Sequence, residues 1–431
     1  RQMCIRDRYR VDPLSALMLL LITGVAAAAM PFAYSSVMRE LPKEKHRLFY
    51  TAYLLAFTGL IGMAITGDAF NAFVFMEIAS LSSYVLISLG QNRKALYASF
   101  QYLVLGTIGA TFFVIGVGLL YMLTGTLNMI DLSERLSNLE HNRVLFAAFS
   151  FLVVGLSLKL ALFPLHLWLP NSYAHAPSIV SVLLAATGTK IAAYLLLRFS
   201  FTVLQVNEHD HLLSIMYFLF PLALVTMFVG SVVAIYQSDV KRLLAYSSIA
   251  QIGYILLGIS LTSERALTGS MLHIFNHGIM KAALFASVGA IALSLPNVSL
   301  PNLKGIGKHM PLTMAAFTIS ALSLIGIPGT VGFISKWYLV LAAVETGSTK
   351  GIIAASAIIG TSLLAVIYVW RILEVAYSSD LPKTDHTIQE APWPTLLSVW
   401  VLAVSCIVLG LFPNVLIEPS RIAAQMLLSS N

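Results

Sequence analysis

The chain has 431 residues, of which 58% are hydrophobic and only 10% charged, with a mean hydropathy of +0.85. Soluble domains carry roughly 25% charged residues, so this composition excludes a soluble globule and points to an all-α polytopic membrane protein. The net charge of +7 comes without a basic run carrying interleaved aromatics, which argues against a nucleic-acid partner, and Cys4 and Cys406 are too few and too far apart for a disulfide framework or a metal site.

Residues 1–12 precede the first apolar run, and 1–8 (Arg-Gln-Met-Cys-Ile-Arg-Asp-Arg) read as foreign or truncated sequence, lacking the apolar stretch and cleavage site of a signal peptide. Length and loop punctuation then give about 12 transmembrane helices: 13–36, 48–67, 69–90, 97–123, 144–170, 178–204, 213–236, 243–262, 267–294, 311–345, 351–378 and 394–415. The first span and its loop occupy 13–47. The connection 124–143 has the pattern of a short amphipathic interfacial helix. Residues 379–431 read as a polar loop, the last span and a tail. Lys and Arg concentrate in the loops after spans one, three, seven and nine, which places those loops in the cytoplasm.

Two spans are overlong and contain a proline, Pro164 in the fifth and Pro328 in the tenth, offset by five spans. Proline inside a spanning helix frees backbone groups that only protein or water can satisfy, and paired breaks point to a repeat-built transporter. The expected organisation is therefore two five-helix inverted repeats, 48–204 and 213–378, each with one proline-broken helix.

Charge sits where it is expensive. Glu77 lies mid-span in Phe-Val-Phe-Met-Glu-Ile-Ala-Ser, and Lys159 lies in the first broken helix, making it the natural cationic partner. Lys190 is about ten residues into the sixth span, deeper than a lysine can snorkel from. His273, His277 and Lys281 recur at spacings of four on the ninth span, so all three share one helical face, with steps of about 6 Å. Imidazoles and desolvated amines can pass protons. His273 and His277 alone are a weak metal signature, and no metal is expected. Lys336 follows Pro328 in the tenth span. Four lysines at this depth would cost roughly 10–14 kcal/mol on insertion scales, which a mere scaffold has no reason to keep. His166 and His175 flank the first break as possible gate residues, Asp68 and Lys241 read as loop anchors, and Arg198 and Arg371, near span ends, are expected to snorkel or anchor loops.

These residues carry a resemblance. Thr66-Gly-Asp-Ala-Phe-Asn through Glu77, Leu123-Thr-Gly-Thr-Leu-Asn-Met, Lys159-Leu-Ala-Leu-Phe-Pro-Leu-His-Leu-Trp-Leu-Pro170, Ala174-His-Ala-Pro177, Lys241-Arg-Leu-Leu-Ala-Tyr-Ser-Ser and the His273–Lys281 stretch are similar to the antiporter-like proton-translocating subunits. That family is shared by respiratory complex I, membrane-bound hydrogenases and Mrp cation/proton antiporters, and the wording of the first two motifs looks closest to the D-type subunits of Mrp antiporters. The family has fourteen spans, which implies that the first two are missing here. Residue by residue, the resemblance implies that Glu77 and Lys159 form the essential pair, that Lys190 connects it to a central axis of His273, His277 and Lys281, and that Lys336 is the terminal lysine.

The resemblance further implies a proton-translocating subunit of a sodium/proton antiporter in the cell inner membrane. It would have no cofactor or redox centre of its own, would be partnered by other membrane subunits and surrounded by lipid, and would carry protons and sodium. The alternatives are a proton-pumping membrane-arm subunit of an NADH-quinone oxidoreductase or hydrogenase, a non-conducting scaffold, and a standalone carrier.

Overall fold

The structure is a computed structural model that describes residues 9–137, 142–295, 297–378 and 388–429; the expected foreign segment 1–8 and most of the loop at 379–393 lie outside them. Eleven described helical segments are long and apolar enough to cross a membrane, and they correspond to expected spans one to nine, eleven and twelve. The tenth expected span is two half-helices. The described residues contain no strand, only isolated bridges between loop residues.

The first segments are α1 (Pro13–Glu40), α2 (His46–Ile65), α3 (Ala69–Ser88) and α4 (Arg93–Thr124). Each start has a local cause. Asp12 caps α1 by accepting from Ser15 N–H, with Pro13 following it, while Asp68 caps α3 and Asn92 caps α4. Asp68 is thus an anchor, as expected. The amphipathic connection contains α5 (Met129–Leu136), capped by Asn128 and burying Met129, Leu132 and Leu136 on one side.

The first broken span is α6 (Arg143–Leu160), a turn-rich break at 161–167 containing Pro164, and α7 (Trp168–His175). α6 ends on Ala161 at φ 60°, a left-handed conformation that costs a non-glycine residue about 1–2 kcal/mol. The next span runs continuously from Ser178 to Val203, with α8 (Ser178–Leu183) and α9 (Thr189–Leu197) joined by a π turn at Leu184–Gly188 and a second π turn following at Arg198–Val203. α10 (Asp210–Ile235), α11 (Val240–Leu261) and α12 (Glu264–Ala292) follow. α12 is buried from Ala266 to Ile291 and is the axis of the bundle.

After the short α13 (Ile306–His309), the second broken span consists of α14 (Pro311–Ile325) and α15 (Val331–Glu345), separated by Gly326 at φ 95° and the Pro328 turn. Then come α16 (Thr349–Ser378), α17 (Trp393–Leu411) and α18 (Asn414–Leu428). α18 falls where a tail is expected. It is a helix because Leu416, Ser420, Ala423, Ala424 and Leu427 recur at helical spacing and bury against the bundle.

Of the two places expected for Arg198, the structure gives the second: 5% exposed, it does not snorkel but anchors the loop end that precedes α1, where the Asp12 carboxylate meets its guanidinium at 2.6 and 2.8 Å. Burial works to raise the Asp12 pKa, and the Arg198 hydrogen bond and charge overcome this to leave it below the usual value.

Helix α4 packs on α6 through facing glycines. A Cβ added at Gly155 would lie 2.6 Å from Gly109 O and 2.8 Å from Phe113 N, whereas one at Gly118, also on α4, would meet nothing within 4 Å. Thermal unfolding in detergent should therefore show Gly155→Ala destabilised by about 1–3 kcal/mol. Gly118→Ala should be neutral or more stable by up to about 1 kcal/mol. Equal behaviour of the two variants would contradict this packing.

Candidate functional site

Lys159, Lys190, His273, His277, Lys281 and Lys336 are buried, Glu77 is half-buried and the break prolines Pro164 and Pro328 are exposed. The structure joins the charged and imidazole side chains into two groups with Lys190 alongside. In the first group, Lys159 sits in the last turn of α6 just before the break, 7% exposed. Its ammonium donates to Ser80 Oγ at 2.6 Å and lies 3.9 Å from Glu77 Oε1. Glu77 and Ser80 are one turn apart on α3, so this helix presents a carboxylate and a hydroxyl together. The separation is that of an ion pair without a direct hydrogen bond, so Glu77 acts on the lysine chiefly through its charge. The pair is walled by aromatics: Tyr84 meets Tyr102 edge-on at 4.7 Å, and Tyr102 stacks on Trp168 of α7 at 4.0 Å.

The break beside Lys159 is held from two directions. The Trp168 indole donates to Leu158 O at 3.0 Å, and Phe163 N–H donates to Thr226 Oγ1 of α10 at 3.3 Å. Backbone groups released around Pro164 thus find protein partners. His166 is buried and stacks on Phe163, while His175 is half-buried at the end of α7.

Lys190 is fully buried and donates to Ala185 O of the π turn at 2.5 Å. The preceding carbonyl, Leu184 O, accepts from Tyr173 Oη at 2.9 Å. A cavity of about 30 Å³, room for about one water, lies between Lys159 and this turn, bounded by Ser80, Leu184 and Gly188.

The second group lies on α12. Lys281 donates to Leu244 O at 2.8 Å and to Ser247 Oγ at 2.5 Å, both on α11. One turn away, His277 is fully buried and has no protein hydrogen-bond partner at either ring nitrogen among the described residues. Its ring stacks on that of His273 at 5.8 Å. His273 Nε2 lies 2.9 Å from Gln251 Oε1 and Nδ1 lies 2.9 Å from Ser335 Oγ. With Gln251 as acceptor, Nε2 carries a proton. Ser335 donates to Nδ1 when the ring is neutral, and can turn its hydroxyl to Gly332 O, 3.2 Å away, when Nδ1 is protonated. The site therefore accommodates either charge state without moving the ring.

Lys336 is next in sequence to Ser335. Its ammonium donates to Leu324 O at 3.0 Å, Ile325 O at 2.9 Å and Ser362 Oγ at 3.1 Å. The two carbonyls end α14, where the break has removed their helical donors and where the helix dipole favours a cation. The same ammonium lies 5.0 Å from the centroid of the Tyr254 ring, whose other neighbour is His273 at 5.4 Å.

Sequence reasoning did not find Ser80, Gln251, Tyr254, Ser335 or Tyr173. Gln251, in the apolar run Ile-Ala-Gln-Ile-Gly, is the one with a visible signal: an amide buried in a span requires a partner. No cluster of three His, Cys, Asp or Glu side chains among the described residues could hold a metal ion.

The model of the family described as NADH:quinone oxidoreductase/Mrp antiporter, TM matches residues 66–362. The NADH-quinone oxidoreductase subunit N of Desulforudis audaxviator is 39% identical over 421 residues, covering 95% of this chain and 82% of that protein. The D-type subunit of the Na(+)/H(+) antiporter of Alkalihalophilus pseudofirmus is 33% identical, covering 97% and 83%. Among solved structures, a chain of the Mrp complex from Dietzia sp. superposes with a TM-score of 0.89 at 27% identity, covering 98% of this chain and 84% of that one. A chain of the membrane-bound sulfane sulfur reductase, an archaeal respiratory membrane complex, reaches 0.87 at 30% identity, covering 98% and 83%. The chain is a multi-pass, antiporter-like membrane subunit and belongs to the NADH:quinone oxidoreductase/Mrp antiporter transmembrane family.

Proposed function

We propose that this chain carries protons across the membrane along Glu77, Lys159, Lys190, the His277–His273–Lys281 face of α12 and Lys336, as one subunit of a monovalent cation (sodium)/proton antiporter in the cell inner membrane. The observation that carries this reading is the way the cations are held. Among the relay lysines, only Lys159 has a carboxylate within ion-pair distance among the described residues; Lys190, Lys281 and Lys336 rest on carbonyl and hydroxyl oxygens. Such acceptors hold an ammonium and also accept from a neutral amine, so these sites can gain and lose a proton without leaving a counter-charge stranded.

Protons enter at Lys159, whose proton affinity depends on Glu77. A shift of Glu77 relative to Lys159 changes that affinity and is the coupling step. The proton passes by Lys190 to the α12 face, where the two protonation arrangements of His273 relay it toward Lys336. The breaks at Pro164 and Pro328 supply the small rearrangements, and the two repeats, 48–204 and 213–378, each contribute one of them.

The 39% identity to an NADH-quinone oxidoreductase subunit favours a second reading of the drive. The same relay would then be powered by electron transfer in partner subunits. Purification of the native complex separates the two: iron–sulfur or flavin absorbance in the assembly supports the second, and sodium-dependent proton movement without it supports the first.

In membrane vesicles, Lys159→Ala should abolish proton transport while leaving normal amounts of assembled complex, and Glu77→Gln should reduce it about tenfold or more, since one pKa unit of lost interaction is already a factor of ten. Wild-type transport by Lys159→Ala would end the relay reading in favour of a scaffold. Gln251→Leu removes the acceptor that fixes the His273 ring and should slow transport by about tenfold or more, because misplacing a reacting group by ~1 Å can cost a hundredfold. Transport and assembly lost together would instead mark Gln251 as structural.

A further inference from the structure

Helix α1 has no part in the relay just described, yet three of its polar side chains and that of its capping residue Asp12 bond to one neighbour. That neighbour is the Ser178–Val203 span, which carries Lys190 and runs antiparallel to it. At one end, Glu40 Oε2 accepts from Ser178 N–H at 2.8 Å. Glu40 Oε1 accepts from the Ser36 hydroxyl at 2.7 Å, and Ser36 Oγ accepts in turn from Ile179 N–H at 3.3 Å. These are first-turn amides, which have no acceptor within their own helix.

At the other end, Asp12 takes both amino groups of Arg198 at 2.6 and 2.8 Å. Ser15 Oγ accepts from Arg198 Nη2 at 3.0 Å and lies 3.1 Å from Tyr194 Oη, which donates to Ala64 O at 2.8 Å. Asp12, Ser15, Ser36 and Arg198 are all buried. Both helices are thus fastened at points roughly 30 Å apart, at about 1.5 Å of rise per residue.

Between the fastenings lies the π turn at Leu184–Gly188, whose carbonyls are held by the side chains of Tyr173 and Lys190. A π turn is where a helix can change register, since it holds one residue more per hydrogen bond than the α form. With free ends, such a change would be dissipated by sliding the helix. With both ends tied to α1, it stays in the segment that contains Lys190.

We propose that α1 is a strut, and that Asp12, Ser15, Ser36 and Glu40 are positioning residues that fix both ends of the Lys190 helix and confine its rearrangement to the π turn. The functional half of this inference rests on Lys190 carrying protons; the structural half does not. The test uses the full chain in its native membrane complex, with Cys4 and Cys406 replaced by serine and a reporter thiol introduced at buried Thr187 in the turn (Thr187→Cys), read by the rate of labelling with a membrane-permeant maleimide.

Asp12→Asn and Glu40→Ala, at opposite ends, should each raise the labelling rate by about fivefold through local opening, and each lower transport by about tenfold through misplacement of Lys190. Glu40→Gln keeps an oxygen that can accept from Ser178 N–H and should restore both readouts to within about twofold of wild type, since the hydrogen bond survives. Labelling unchanged in both loss variants, or raised only by Asp12→Asn, would overturn the strut. If Asp12→Asn fails to assemble, the contrast between Glu40→Ala and Glu40→Gln decides alone. Lys190→Ala with wild-type transport would instead defeat the relay reading, while the labelling arm still judges the strut.

Discussion

Inside a bilayer every polar group has to be answered within the protein, and this constraint ties the lysines to the irregularities of the helices. A proline break leaves carbonyls without amide donors and a π turn distorts the hydrogen-bond ladder; a buried ammonium has three donors and no acceptor. Lys336 answers Leu324 O and Ile325 O at the end of α14, and Lys190 answers Ala185 O in the π turn. Each feature alone would destabilise the fold. Together they cancel much of each other's cost, which explains why Lys190 and Lys336 lie beside the distortions and not at random depth. Removing Lys190 or Lys336 would therefore do two things at once: it would delete a member of the proposed relay and leave a buried carbonyl without that donor.

The arrangement is not uniform along the line. Lys190 and Lys281 have one and two neutral acceptors, no more than a neutral amine can also serve, so little in their contacts distinguishes the protonated from the unprotonated state. The three acceptors of Lys336, two of them at the end of α14, favour the ammonium. Lys159 differs, because a carboxylate lies 3.9 Å away without a direct hydrogen bond. Charge attraction at that distance varies smoothly with displacement, whereas a hydrogen bond is made or lost. The Glu77–Lys159 pair is thus suited to tuning, and the central face to passing on whatever state it receives. His273 fits the second role, since Ser335 and Gln251 satisfy its ring in either form.

Much of this is legible in the sequence, and the limit has a physical origin. Apolar length marks the spans, proline marks the breaks, and the four-residue spacing marks the His273–Lys281 face, because all three are local properties of one helix. Partners across helices are not local. Nothing near Lys159 announces Ser80, and nothing near His273 announces Ser335. Arg198 is likewise near its span end as expected, but Asp12, its partner, is far away in the sequence and nothing local to either residue announces the pair. α18 escapes for the opposite reason. Its buried stripe of small residues and leucines is legible, but its composition is too mixed for a span, and a search for spans passes over it.

Relatives named for an antiporter and for an NADH-quinone oxidoreductase align over nearly all of this chain, so similar sequences carry two different names. In the proposed relay this has a structural reading. Lys159, Lys190, His273, His277, Lys281 and Lys336 are each at most 7% exposed. Glu77 differs, with 21% of its side chain accessible. A drive from outside the chain can act where a side chain still meets the surface, and Glu77 is the member of the line that does. A neighbouring subunit that moves or neutralises Glu77 would change how tightly Lys159 holds its proton, whatever powers that neighbour. The relay can then stay the same while the source of energy changes.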